Sequence, residues 1–169
     1  MIYIPLEVSL LFVFLVSIAV TYLAIPSIVG VARHKKLYDD PSQRRSHFRQ
    51  TPTLGGVAIF AGIVIALGSF TNYILIPSMQ YIIVACIIIF FIGLKDDIQT
   101  IAPFKKLIGQ IGAALILAIP GNLCFTNLHG FLGIYHISPV IGTFLTVFII
   151  IVIINSFNLI DGITGLPLR

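Results

Sequence analysis

Charge is what this chain has least of. Only 9% of its 169 residues are Asp, Glu, Lys or Arg, against about a quarter in soluble domains, which excludes an ordinary water-soluble fold. Tryptophan is absent and there are two cysteines, Cys86 and Cys124. Their positions give neither metal-ligand spacing nor a reachable partner, so a disulfide framework and a thiolate metal centre are excluded and both are expected to pack as small apolar residues. Met1 to Glu7 contains no basic residue and the positive charges follow the first apolar run, so an uncleaved first span is expected in place of a signal peptide. Neither an internal repeat nor a low-complexity tract is present.

What is there is apolar. Hydrophobic residues make up 58% of the chain and the mean hydropathy is +1.08. At about 20 apolar residues per crossing, the length accommodates about five spans. The net charge of +4 does not imply nucleic acid as a partner. In a membrane chain, basic residues first report the side on which a loop lies.

Charges cut the sequence into apolar blocks. Val8 to Ala32 is uncharged, and Arg33 to Arg49 then holds six basic residues and two acids. The 45 residues from Gln50 to Leu94 are uncharged and suit two spans, broken at Thr71-Asn72-Tyr73 and Pro77-Ser78. The 54 residues from Leu107 to Ile160 are split by Pro120-Gly121-Asn122 and by a polar stretch from Asn127 to Pro139. The expected fold is therefore an all-α, polytopic transmembrane helical bundle. Its helices fall near 8–30, 54–70, 79–94, 107–119 and 139–157, within a single membrane domain covering 1–169. The fourth is short of a crossing unless it continues past Pro120. Loops 33–53 and 95–106 carry nine of the ten Lys and Arg. Five spans put both on one side, which places the N-terminus outside and the C-terminus in the cytoplasm. Gly109, Gly112 and Ala113 predict a close helix contact.

Three polar clusters remain, all at the predicted cytoplasmic face. The first is Asp39-Asp40-Pro41-Ser42-Gln43-Arg44-Arg45-Ser46-His47-Phe48-Arg49, followed by Thr51-Pro52-Thr53-Leu54-Gly55-Gly56. A solvated basic loop that sets topology accounts for its Lys and Arg, but not for the paired acids and the histidine. Such a loop would also attract phosphate-bearing molecules. The second is Lys95-Asp96-Asp97, with Lys106 and Gln110 further on. Adjacent carboxylates at a membrane boundary repel each other and call for a cation; carboxylates are also the usual Mg²⁺ ligands where phosphate is transferred. Lys106 and Gln110 lie four apart on one helical face and could reach the same anion. The third cluster is Asn155-Ser156-Phe157-Asn158-Leu159-Ile160-Asp161-Gly162. Either it is a polar helix end stopped by Gly162, or Asn155, Asn158 and Asp161 line an interior at the level of the acid pair. Acids, amides and bases gathered at one end of an apolar bundle suggest metal-assisted chemistry on a phosphate whose other end is lipid.

These motifs resemble those of the polyprenyl-phosphate N-acetylhexosamine-1-phosphate transferases of glycosyl transferase family 4. The resemblance rests on Asp40-Pro41 through Arg44-Arg45-Ser46-His47, Pro52 to Gly55-Gly56, Gly93-Leu94-Lys95-Asp96-Asp97, Lys106 with Gln110, and Asn155 through Gly162, in that order. It implies transfer of a sugar 1-phosphate from a UDP-N-acetylhexosamine to undecaprenyl (polyprenyl) phosphate with release of UMP and a requirement for Mg²⁺, in initiation of bacterial envelope polysaccharides. By the same resemblance, Asp96 and Asp97 serve the metal-phosphate centre as catalytic residues. Asn158, Asp161, Lys106, Asp40, Arg45 and His47 bind substrate, and Asp97 and Asp161 hold the metal. The implied setting is the bacterial cytoplasmic membrane, with lipid around it and a homodimer among the possible assemblies. Thr164 stands where the family commonly has a second acid. Family members are also longer, so the 169 residues are expected to be an N-terminal half, and inactivity of this chain alone is one alternative. The other is a five-span transporter or scaffold whose basic loops only set topology.

Overall fold

The computed structural model describes residues 5–34, 55–71 and 76–164, and for Arg33 and residues 161–164 only the backbone. Among them are five helices and a two-stranded hairpin: α1 (Leu6–His34), α2 (Gly55–Phe70), α3 (Met79–Ile98), α4 (Pro103–Ala118), β1 (Asn127–Phe131), β2 (Ile134–His136) and α5 (Pro139–Thr164). The number of helices is the one expected. Among the described residues two segments, Leu6–Ala32 and Pro139–Ile160, are long and apolar enough to cross a bilayer, with mean hydropathies of 2.6 and 2.5, and α2 is apolar but shorter. The chain divides into two compact units, Met1–Asn72 with Gly165–Arg169, and Tyr73–Thr164.

In the first unit α1 and α2 run antiparallel in close contact, because small residues meet along the seam. Thr21 Oγ1 donates to the Ala58 carbonyl at 3.4 Å. A Cβ on Gly62 would strike Thr21 and the Ser17 carbonyl, and Ala32, Ala58 and Ala66 are buried. Phe12 stacks on Phe70 with ring centroids 5.5 Å apart. Pro26 lies within α1, and the helix continues through it to His34.

The second unit holds α3, the hairpin α4 forms with it, and α5. A Cβ at Gly109 of α4 would strike the Ile92 side chain of α3, and one at Gly121 would meet Tyr81, so the two helices are antiparallel. Ala113, Ala114 and Ala118 of α4 are buried. The close contact expected of Gly109 and Ala113 is present, while Gly112 has open space beside it.

The helix ends differ from expectation in ways that matter for the site. α3 continues through Lys95, Asp96 and Asp97 to Ile98, and α4 begins at Pro103 in its first turn, where a missing N–H costs nothing. The connection therefore narrows to Gln99–Ala102, and both Asp96 and Lys106 are on helices. α5 passes through Gly162 to Thr164, so that glycine does not stop it. At its far end α4 stops at Ala118, as Pro120 requires. Its 16 residues rise about 24 Å, less than a hydrocarbon core of about 30 Å. An extended segment continues the path: Phe125 N–H donates to Thr146 Oγ1 at 3.1 Å, and a Cβ on Gly142 would strike the Phe125 carbonyl.

The β-hairpin is the departure from an all-α fold. Asn127 Oδ1 accepts the His129 N–H at 2.6 Å, and His129 (φ 52) and Gly130 (φ 85) break the register between Asn127↔His136 and Phe131↔Ile134. Leu132 (φ 54) and Gly133 (φ 76) make the two-residue turn, with positive φ at both central positions as a type I′ hairpin requires. The sequence around Leu132-Gly133 lacks the Asn-Gly or Asp-Gly signal that would have announced it.

Candidate functional site

α4 organises the polar end of the second unit, because one of its faces reaches both neighbours. Lys106, in its first turn, places Nζ 2.8 Å from Asp96 Oδ2 at the end of α3. Asp96 Oδ1 accepts the Ile101 N–H at 3.0 Å. One carboxylate thus fastens both the connection and the start of α4. The pair is shielded but not sealed, with 19% of the Lys106 side chain and 25% of that of Asp96 exposed. The Lys106 hydrogen bond, followed by the Ile101 N–H, holds the Asp96 carboxyl below the usual carboxylate range. Asp97 is one residue and about 100° further round α3, and it is exposed. The acid pair is therefore divided: Asp96 is turned to α4 and Asp97 to the surface.

One turn along the same face is Gln110, the largest fully buried side chain described, at 2% exposure. Its Oε1 accepts from Asn155 Nδ2 of α5 at 2.9 Å, and that Nδ2 also donates to the Ile151 carbonyl at 2.8 Å. Since α4 and α5 run antiparallel from this tie, residues beyond Asn155 approach the charged end. Asn158 lies about 4.5 Å and the Asp161 backbone about 9 Å along the axis from Asn155. Asn158 Nδ2 donates to the Ile154 carbonyl at 3.0 Å and Ser156 Oγ to the Val152 carbonyl at 2.7 Å, which fixes both side chains against their own helix.

The structure thus brings Asp96 and Lys106 into contact, and joins Gln110 to Asn155 one turn deeper. Lys106 and Gln110 are each engaged with a neighbouring helix. Asp97 and Asn158 are exposed at the same end of the unit, and the Asp161 side chain lies outside the described residues, as do Asp40, Arg45 and His47. Among the described residues no three His, Cys, Asp or Glu side chains converge as a metal cage. Sequence reasoning missed the Ile101 N–H, since a backbone donor leaves no residue signature, and it missed the Gln110–Asn155 tie, having expected Gln110 to reach an anion with Lys106. Cys86 is exposed on α3 and Cys124 half-buried, and both are free thiols.

Residues 79–168 match the sequence signature of glycosyl transferase family 4. The chain belongs to this family. The matched region begins at α3 and contains Asp96, Asp97, Lys106, Gln110, Asn155, Asn158 and Asp161, so the α3–α4–α5 cluster lies within it. Curated relatives agree. An undecaprenyl-phosphate alpha-N-acetylglucosaminyl 1-phosphate transferase of Escherichia coli O157:H7 is 32% identical over 138 residues, covering 80% of this chain and 37% of the relative. Its namesake in Salmonella typhi is 30% identical over 132 residues, 77% of this chain and 35% of the relative. A decaprenyl-phosphate N-acetylglucosaminephosphotransferase of Mycobacterium tuberculosis is 31% identical over 173 residues, 96% of this chain and 42% of the relative. The chain spans about two-fifths of the length of these relatives. No solved structure gives a significant match.

Proposed function

We propose that this chain supplies the N-terminal part of a membrane-embedded transferase. The enzyme moves N-acetylhexosamine 1-phosphate from a UDP-sugar to a polyprenyl phosphate, releasing UMP, at the cytoplasmic face of a bacterial inner membrane. The observation that carries this is the cluster on α3, α4 and α5: an exposed carboxylate, a cation and amides at the polar end of an apolar unit, inside the region that matches the family. In the reaction, an oxygen of the lipid phosphate forms a bond to the sugar-bearing phosphorus of the donor. The bridging bond to the uridylyl phosphate breaks, and UMP leaves with the electron pair. Two anions must approach each other, so positioning and positive charge matter more than a covalent nucleophile.

The side chains divide the work accordingly. Lys106 has three donors and spends one on Asp96, leaving the ammonium able to orient a phosphate oxygen. Asp96 holds Lys106 and the α4 start in place. Asn158 and Asp161 line the nucleotide-sugar side, with Asp40, Arg45 and His47 of the basic loop adding phosphate contacts. The donor set suits Mg²⁺, which takes one or two carboxylates and keeps water and phosphate oxygens for the rest; Asp97 and Asp161 would hold it, and it would neutralise charge developing on the phosphates. Five spans, the N-terminus outside, and a homodimer complete this reading. The excess of Lys and Arg in residues 33–53 and 95–106 supports the orientation.

The test is UMP release from UDP-N-acetylglucosamine by membranes carrying the full-length protein, with polyprenyl phosphate and magnesium. Asp97→Asn is expected to lower turnover by at least about 100-fold, in the range for loss of an electrostatic group that acts in the transition state. UMP release no greater than from membranes lacking the protein would overturn the reading in favour of a transporter or scaffold, and UMP release retained after alanine replacement of both Asp96 and Asp97 would overturn their assignment to the site. The same assay on residues 1–169 alone shows whether this portion turns over by itself.

A further inference from the structure

The hairpin between α4 and α5 takes no part in the transferase reading, and its tip is unusually apolar for a connecting loop. Phe131 is 66% exposed, Leu132 82%, Ile134 44% and Tyr135 63%. Leu132 also occupies a backbone position, φ 54, that disfavours a bulky side chain and for which asparagine or aspartate is the ordinary choice. Leucine there gains no packing within the described residues. A local rule broken without a folding benefit points to a contact outside the chain.

We propose that this hairpin is a lipid-docking element, its tip inserting into the bilayer interface beside the start of α5. The proposal rests on the membrane reading of α5. Three observations select lipid as the occupant. The hairpin is tied to the end of a span, since the Ile137 N–H donates to the Thr126 carbonyl at 3.1 Å and α5 starts at Pro139. The segment leading into it runs beside Gly142 and Thr146, about one and two turns inside that helix, so with α5 as a span its base lies at bilayer depth. The sequence from Leu107 to Ile160 has no Asp, Glu, Lys or Arg, so insertion of the tip dehydrates no carboxylate, ammonium or guanidinium, while His129, His136 and the Tyr135 ring and hydroxyl suit the headgroup level. The apolar surface also continues into the first turns of α5, where Val140 is 80%, Ile141 60% and Phe144 74% exposed.

The absence of native tryptophan makes the test direct. Phe131→Trp, and separately Tyr135→Trp, are placed in the chain reconstituted into phosphatidylethanolamine–phosphatidylglycerol vesicles containing lipids brominated near the headgroup or deep in the acyl chain. Phe148→Trp, exposed on α5, reports the span itself. The expected result is blue-shifted emission from both hairpin probes, quenched by shallow bromines and shielded from aqueous iodide, with Phe148→Trp quenched by deep bromines. Adding Leu132→Asn to Phe131→Trp is expected to shift the tip toward water about tenfold, read as recovered iodide quenching, because one inserted leucine is lost. Iodide quenching of both hairpin probes alongside deep quenching of Phe148→Trp would overturn the proposal and leave the membrane reading standing. Loss of lipid quenching at all three positions would overturn both. Blue-shifted hairpin probes shielded from iodide and untouched by any brominated lipid would mean a protein surface covers the tip, and would also overturn it.

Discussion

The Gln110–Asn155 tie predicts an asymmetry between its two ends. Gln110 is 2% exposed, whereas Asn155 is exposed and keeps a second bond, to the Ile151 carbonyl at 2.8 Å. Gln110→Leu preserves volume and removes one hydrogen bond, leaving Asn155 with its other acceptor. The expected loss is about 0.6 kcal/mol and at most about 1.7 kcal/mol, the range for side-chain hydrogen bonds between membrane helices. Asn155→Leu instead strands the Gln110 carbonyl oxygen in a buried position, which costs about 1–3 kcal/mol. Asn155→Leu should therefore be the more damaging single change. The double variant Gln110→Leu/Asn155→Leu should be more stable than the sum of the two losses predicts, because an apolar pair leaves nothing unsatisfied. The assay is reversible unfolding of the full-length protein in detergent micelles, run as a double-mutant cycle. Losses that add to within about 0.3–0.5 kcal/mol, the scatter of independent sites, or a larger loss at Gln110 than at Asn155, would refute the reasoning.

Three further outcomes follow from the same geometry. The carboxyl of Asp96 is held below its usual range, so its stabilising contribution is fully present above about pH 4, the unfolded value. It is lost as pH falls through the lower folded value, and Asp96→Asn should flatten that acid limb of a stability-against-pH curve. On the proposed transferase reading, Lys106→Met should weaken binding of phosphate-bearing substrates, raising KM for the lipid phosphate, and should also raise the Asp96 pKa toward the ordinary carboxylate range, with the Ile101 N–H still holding it down in part, visible by NMR titration. Gly142→Ala should destabilise by about 1–3 kcal/mol through overpacking, since its Cβ would strike the Phe125 carbonyl. Gly112→Ala, with open space beside it, should stabilise by about 0.5–1 kcal/mol; thermal unfolding of both separates close approach from helix propensity.

Much of this architecture was legible because charge is so scarce. Uncharged blocks located all five helices, and Pro120 marked the end of α4. Helix ends near the charges were not legible: Lys95, Asp96 and Asp97 read as a loop, yet the Asp96 carboxylate has Lys106 and the Ile101 N–H as partners, so the helix can carry it to Ile98. Gly162 as a stop was one of two readings, and the helix passes through it because the cost of glycine inside a helix is modest and packing decides it. The hairpin was invisible, since its turn uses Leu132 where a recognisable turn residue is expected. At the site, the spacing of Lys106 and Gln110 put them on one face. The division of the acids into one turned to α4 and one exposed could not be read from two identical letters in a row.

The ties of the second unit have a consequence for biosynthesis. Asp96 to Ile101 and Lys106 are separations of five and ten residues, and both lie within one helical hairpin. Gln110 to Asn155 joins the next consecutive pair of helices. Contacts this local form quickly and demand little loop closure. The α3–α4 hairpin can lock its carboxylate clamp while α5 is still being synthesised, so α5 arrives against a partner whose rotation is already set. The locality of these ties lets the polar end of the unit assemble in chain order.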